Sequence, residues 1–98
     1  MTEGFRRDEL TARMTGNLKV LRNKLGLTQG SLAEKIGISR QTLVNIENKN
    51  RDMSWNTFVA LVTVFRAERS TSDLLDHFEI YTADLCRHLT TPKSANSD

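Results

Sequence analysis

GLTQGSLAEKIGISRQTLVNIE, residues 26–47, holds two short helical patterns joined by a tight turn. Thr28 suits an N-cap, and Leu32, Ala33 and Ile36 behind it recur at the spacing of one helix face. Gly37 closes that helix, where a positive φ penalises any Cβ. Ile38 plugs the turn into the core, and Ser39 caps the next helix, whose Leu43 and Ile46 point inward. Ala33 stands where the two helices cross, and a larger side chain there would separate them. The outer side of the second helix is left with Arg40, Gln41, Val44, Asn45 and Asn48.

The helical spacing continues in both directions. Upstream, Leu10, Met14, Leu18, Leu21 and Leu25 form one stripe, ended by Gly26. Gly16 interrupts the stripe at a cost of about 1 kcal/mol, so a helix start near it is expected. Downstream, Asn48 to Met53 reads as a polar connection. Ser54 then caps a fourth helix, Trp55 to Arg66, with Phe58, Leu61, Val62 and Phe65 inward. Thr71 or Ser72 begins a fifth helix bearing Leu74, Leu75 and Phe78, and Leu85 and Leu89 mark a last segment. The tail TTPKSANSD is polar, and disorder is expected over 90–98. The fold class is all-α.

Length and composition bound the function. The 98 residues suffice for one small domain and leave no room for a large cleft. No apolar run approaches the roughly 20 residues of a membrane helix, and MTEGFRRDEL has no apolar leader segment. A single cysteine, Cys86, excludes an internal disulfide and suits a reducing cytoplasm. Cys86, His77 and His88 lack zinc-type spacing, so no metal or cofactor is expected. There is no glycine-rich phosphate loop and no nucleophile with a defined partner, which argues against an enzyme. The net charge of +2 is uneven: residues 17–51 carry seven bases and two acids, whereas residues 52–98 carry four bases and seven acids. A basic centre of this kind suits a polyanion.

The spacing in residues 26–47, with LKVLRNKLG before it and NIENKN after, resembles the Cro/C1-type helix-turn-helix, the XRE family. The resemblance covers residues 14–75. It implies a compact five-helix lambda-repressor-like DNA-binding domain over 14–78, to which the sequence adds a short C-terminal helix at 79–89. Residues 1–13 are then an extension or the start of the first helix; a DNA-contacting arm bearing Arg6 and Arg7 is less favoured there than a frayed helix start. The implied activity is sequence-specific binding of double-stranded DNA, with the third helix in the major groove. Matching positions make Arg40, Gln41, Thr42 and Asn45 the residues facing base edges. Arg suits guanine O6 and N7, and Gln or Asn suits adenine N6 and N7. Gln29, Ser39, Lys49 and Asn50 fall at backbone-contacting positions, and Arg22 and Glu47 at those of a structural salt bridge. Lys49 stands where the family commonly has Gly, Met53 where it has Pro, and Gly30 and Ser31 where an acidic pair is common. Either Asn48 or Lys49 must take the left-handed conformation, which Asn tolerates better.

The expected protein is a cytoplasmic homodimer of bacterial, archaeal or phage type, binding a pseudo-palindromic operator and acting most simply as a repressor. Phe78, Ile80, Tyr81, Leu85 and Leu89 exceed the apolar needs of five helices, and a dimer contact is the favoured use over a sixth helix folded back. Alternatives of the same fold are a restriction-modification controller, an antitoxin with a toxin partner, or a protein-interaction adaptor without DNA binding. Trp55 reads as core or boundary packing.

Overall fold

A computed structural model describes residues 5–90. Its regular elements, in chain order, are α1 (Arg7–Lys24), α2 (Gln29–Ile36), α3 (Arg40–Glu47), α4 (Trp55–Arg66), α5 (Arg69–His77) and α6 (Ala83–Leu89). α1 runs past α3, α4 and α5, α2 lies against α3 and α4, and α4 pairs with α5. The expected tail falls almost wholly in 91–98, outside the described residues.

α1 does not start near Gly16. It begins at Arg7, with Asp8 and Glu9 placed favourably in its first turn. Leu10, Met14, Leu18 and Leu21 are all buried, each contributing about 1.5–3 kcal/mol. Gly16 is exposed with open space around it, so its propensity cost of about 1 kcal/mol is outweighed. The extension thus holds the start of the first helix, and Phe5 just ahead of it stacks on Trp55 with centroids 5.8 Å apart.

Four helices end the same way. α1, α2, α3 and α5 each close with a residue at positive φ: Gly26, Gly37, Lys49 and Glu79. Each end carries the paired backbone bonds of a Schellman motif. In α3 the Asn50 N–H donates to the Asn45 carbonyl at 2.8 Å and the Lys49 N–H to Ile46 at 3.0 Å. The left-handed residue after α3 is thus Lys49, with Asn48 at φ −85°.

The starts of α2, α3, α4 and α6 are capped by Thr28, Ser39, Ser54 and Thr82, each accepting a backbone N–H three residues on. α5 differs from expectation: it begins at Arg69, and neither Thr71 nor Ser72 caps it. Thr71 is fully buried, and its hydroxyl donates to the carbonyls of Phe65 and Glu68. It completes the end of α4 instead, because a buried hydroxyl must find an acceptor. Met53 also leaves the expected polar connection and joins the core.

The apolar residues after α5 are not surplus. Ile80 and Leu85 are fully buried, and Phe78 and Tyr81 pack against the same core. α6 therefore folds back on its own chain, and of that apolar group Leu89, 37% exposed, stays outside.

Candidate nucleic-acid interface

The angle between α1, α2 and α3 is fixed by one buried carboxylate. Arg22 on α1 donates through Nε to Glu47 Oε2 at 2.7 Å and through a terminal nitrogen to Oε1 at 3.1 Å. The Gln29 amide, in the first turn of α2, also donates to Oε1, at 3.0 Å. Arg22 further reaches the Leu27 carbonyl in the α1–α2 turn at 3.0 Å. The Glu47 side chain is 0% exposed and that of Arg22 13%. A charge buried this deeply is tolerable only with a partner and complete hydrogen bonding, and Glu47 has both.

That frame turns the outer face of α3 to solvent. Arg40 and Gln41 are exposed, and Val44 and Asn45 are half-buried at its edge. Gln41 donates to the Asn45 side-chain oxygen at 3.1 Å, an i,i+4 pair along the face. This bond leaves the Gln41 carbonyl and the Asn45 NH₂ directed to other partners. Arg40 extends along α2 across Gly30, where a Cβ would meet the Arg40 chain at 3.8 Å. Thr42 is less available than its neighbours. Its N–H and hydroxyl both engage the Ser39 hydroxyl, at 3.0 and 2.8 Å, and it is half-buried.

A basic concavity lies beside the start of α2. Lys19, Arg22 and Arg40 line it together with Thr28, Gln29 and Gly30. Thr28 and Ser31 form a reciprocal capping box, which satisfies the N–H groups of both. Gln29 and Gly30, in the first turn of α2, line this concavity, and first-turn N–H groups together with the helix dipole favour an anion. The Gln29 amide has spent one hydrogen on Glu47 and keeps a second. Beyond α3, Lys49, Asn50 and Arg51 are all exposed in the loop. Arg51 lines a further hollow with Ser39, Thr42, Ser54 and Thr57.

The structure thus gathers Gln29 and Arg40 on one side of α3, and Ser39 and Thr42 at its start. Lys49 and Asn50 stand at its end. Reading residue types in isolation missed Lys19 and Arg51 as neighbours of this surface. Both were among the bases of the central charged segment, and that excess was their signal.

The C-terminal side chains considered for metal chemistry are engaged otherwise. His88 meets Phe5 and Trp55 edge-on, and His77 meets Phe78. Cys86 lies beside Thr90 Oγ1 at 3.9 Å. Hydrogen bonding from Tyr81, and then from Thr90, holds its thiol below the usual range. Among the described residues no group of three metal-ligating side chains occurs, and no helix is long and apolar enough to cross a membrane.

Compared with known protein families, residues 18–66 match the helix-turn-helix family model. No curated protein and no solved structure matches the chain. The match spans half of the chain and contains α2, α3 and the loop between them. The chain belongs to the Cro/C1-type helix-turn-helix family, the XRE family of DNA-binding regulators.

Proposed function

We propose that this regulator reads a specific double-stranded DNA site by laying α3 in the major groove. The observation that carries the reading is the outer face of α3, where Arg40, Gln41 and Asn45 stand together with the two amides already paired. A planar amide is suited to adenine N6 and N7, and a guanidinium to guanine O6 and N7. Thr42 contributes through its methyl edge, since its hydroxyl is engaged by Ser39. Gln29, Ser39, Lys49 and Asn50 hold phosphates on either side and set the register. At the start of α2, Gln29 does so with one amide hydrogen and its backbone N–H.

The functional form is a homodimer on a pseudo-palindromic site. One module of this size buries only about 600–1,000 Å² on DNA, and two recognition helices about 34 Å apart multiply the discrimination. Occupying an operator in this way represses transcription by excluding polymerase, and the setting is the cytoplasm. Selection from a random duplex pool at near-physiological salt tests the reading, because non-specific binding is weak there. A palindromic consensus with half-sites one helical turn apart is the expected result. An enriched single half-site refutes the dimer. No enrichment refutes specific DNA reading and favours a protein partner, such as a toxin, for the same face.

A further inference from the structure

We infer that Gln41 and Asn45 act as one reading unit with unequal parts: Gln41 reads an adenine, while Asn45 positions Gln41 and offers only donors to the neighbouring base. The inference rests on the proposed DNA reading and assigns roles within that face. The Gln41 side-chain N–H donates to the Asn45 side-chain oxygen at 3.1 Å. Among the described residues neither side chain has another hydrogen-bond partner. A side-chain amide has one carbonyl and two N–H groups. Gln41 therefore keeps its carbonyl and one N–H, the acceptor and donor that adenine N6 and N7 require. Asn45 has committed its oxygen and keeps both of its N–H groups. It can donate to guanine O6 and N7 or to thymine O4, but an adenine N6 would have to share the oxygen that Gln41 already holds.

Length and burial decide which amide reads. Gln41 is longer by one methylene and exposed, whereas Asn45 is half-buried at the edge of α3. The longer amide reaches the base edge, and the shorter one, seated closer to the helix, holds it. Unheld, an exposed amide presents either end, because a half-turn about its last bond exchanges oxygen and nitrogen. With Asn45 as acceptor, that half-turn would set two carbonyl oxygens against each other. The bond thus fixes the edge that Gln41 presents and spares part of the ordering cost of binding. Residues four apart differ by about 6 Å along a helix axis, but the bond draws the two amide ends to 3.1 Å. That is close to the roughly 3.4 Å between successive bases of a strand, so the two ends meet one base pair and the next.

The test is base preference, read by selection from a random duplex pool and by titration of single-base variants of the wild-type site. A bidentate amide–adenine pair discriminates about five- to 150-fold. N45A should lower the adenine discrimination about two- to tenfold, the worth of one net hydrogen bond, without lowering the melting temperature. N45D keeps the acceptor, so it should restore that discrimination and turn the neighbouring position toward cytosine, whose N4 donates. Q41A should abolish the adenine preference and, by freeing the Asn45 oxygen, shift the neighbouring position toward adenine. Wild-type adenine discrimination in N45A overturns the inference, because the two amides then read independently. So does the reverse pattern, in which N45A abolishes an adenine preference that Q41A only weakens, since the bond then runs the other way. Both results leave the DNA reading standing, because wild type still selects a site. Failure of wild type to select any site removes that reading and the inference with it.

Discussion

Replacing Glu47 by Gln tests whether the clamp between α1, α2 and α3 is structural. The Glu47 carboxylate accepts three hydrogen bonds, two from Arg22 and one from Gln29. Gln offers one oxygen, and its NH₂ would then oppose a donor of Arg22 or Gln29. The Arg22 guanidinium, 13% exposed, would also lose its counter-charge. Breaking one side of such a buried pair costs about 3–5 kcal/mol. A domain of this size has about 5–15 kcal/mol in total, so E47Q should lie near the edge of folding. At about 4–8 °C per kcal/mol, its melting temperature should fall by about 12–40 °C. Circular dichroism with heat and with urea measures this directly. The double variant R22M/E47L should recover most of the loss, because two apolar side chains remove the orphaned charge. An E47Q protein within about 1 kcal/mol of wild type would refute the reasoning, as would a double variant as unstable as the sum of its singles.

Lys49→Gly removes a left-handed conformation that costs a side-chain-bearing residue about 1–2 kcal/mol. After the greater flexibility of unfolded Gly is subtracted, thermal melts should show about 0.5–1 kcal/mol more stability, while the salt slope of DNA binding falls by about 0.9. Gly30→Glu should stabilise the isolated protein by about 0.5–1 kcal/mol through helix propensity. It also sets a carboxylate beside Arg40, so titrations on the selected site should lose about 1–3 kcal/mol of discrimination at one base position if Arg40 reads a base as proposed. Leu10→Ala should cost about 2–5 kcal/mol in urea denaturation, since Leu10 is 1% exposed; a change under 1 kcal/mol would return the extension to a frayed arm.

The elements most legible in the sequence were those decided locally. Ser39, Ser54 and Gly37 each sit at a helix boundary that their own chemistry requires. The starts of α1 and α5 were not local decisions. Gly16 argues for a boundary by propensity, but burial of Leu10 and Met14 overrides it. Thr71 looks like a cap, but its hydroxyl is drawn to the end of the preceding helix. At the candidate site, periodicity separates the inner from the outer face of α3, which is a property of one helix. It says nothing of a hydroxyl already taken, and Thr42 differs from Gln41 for that reason. Nor does it link Arg22 to Glu47, which are 25 residues apart. That pairing entered through the family resemblance. Asn48 and Lys49 show the converse: propensity favours Asn for positive φ, but the length of α3 places the turn one residue later.

The segments outside the matched span do more than lengthen the chain. Leu10, Met14, Leu75, Ile80 and Leu85 all lie outside residues 18–66, and all belong to the single core. The matched part is of a length at which a lone hydrophobic core is marginal, and these residues close it. The closure is not spread evenly. Phe5, ahead of α1, and His88, on α6, meet at Trp55, the first residue of α4. Trp55 directly follows the loop that carries Lys49 and Arg51. The added segments therefore brace the chain at the end of the loop that leaves α3, next to those two cations. The same bracing consumes the apolar side chains that would otherwise suit a dimer contact. In the proposed dimer a second copy would be held by what is left outside, and Val20, at 51% exposure, and Leu89 are the large apolar side chains that stand out among the described residues.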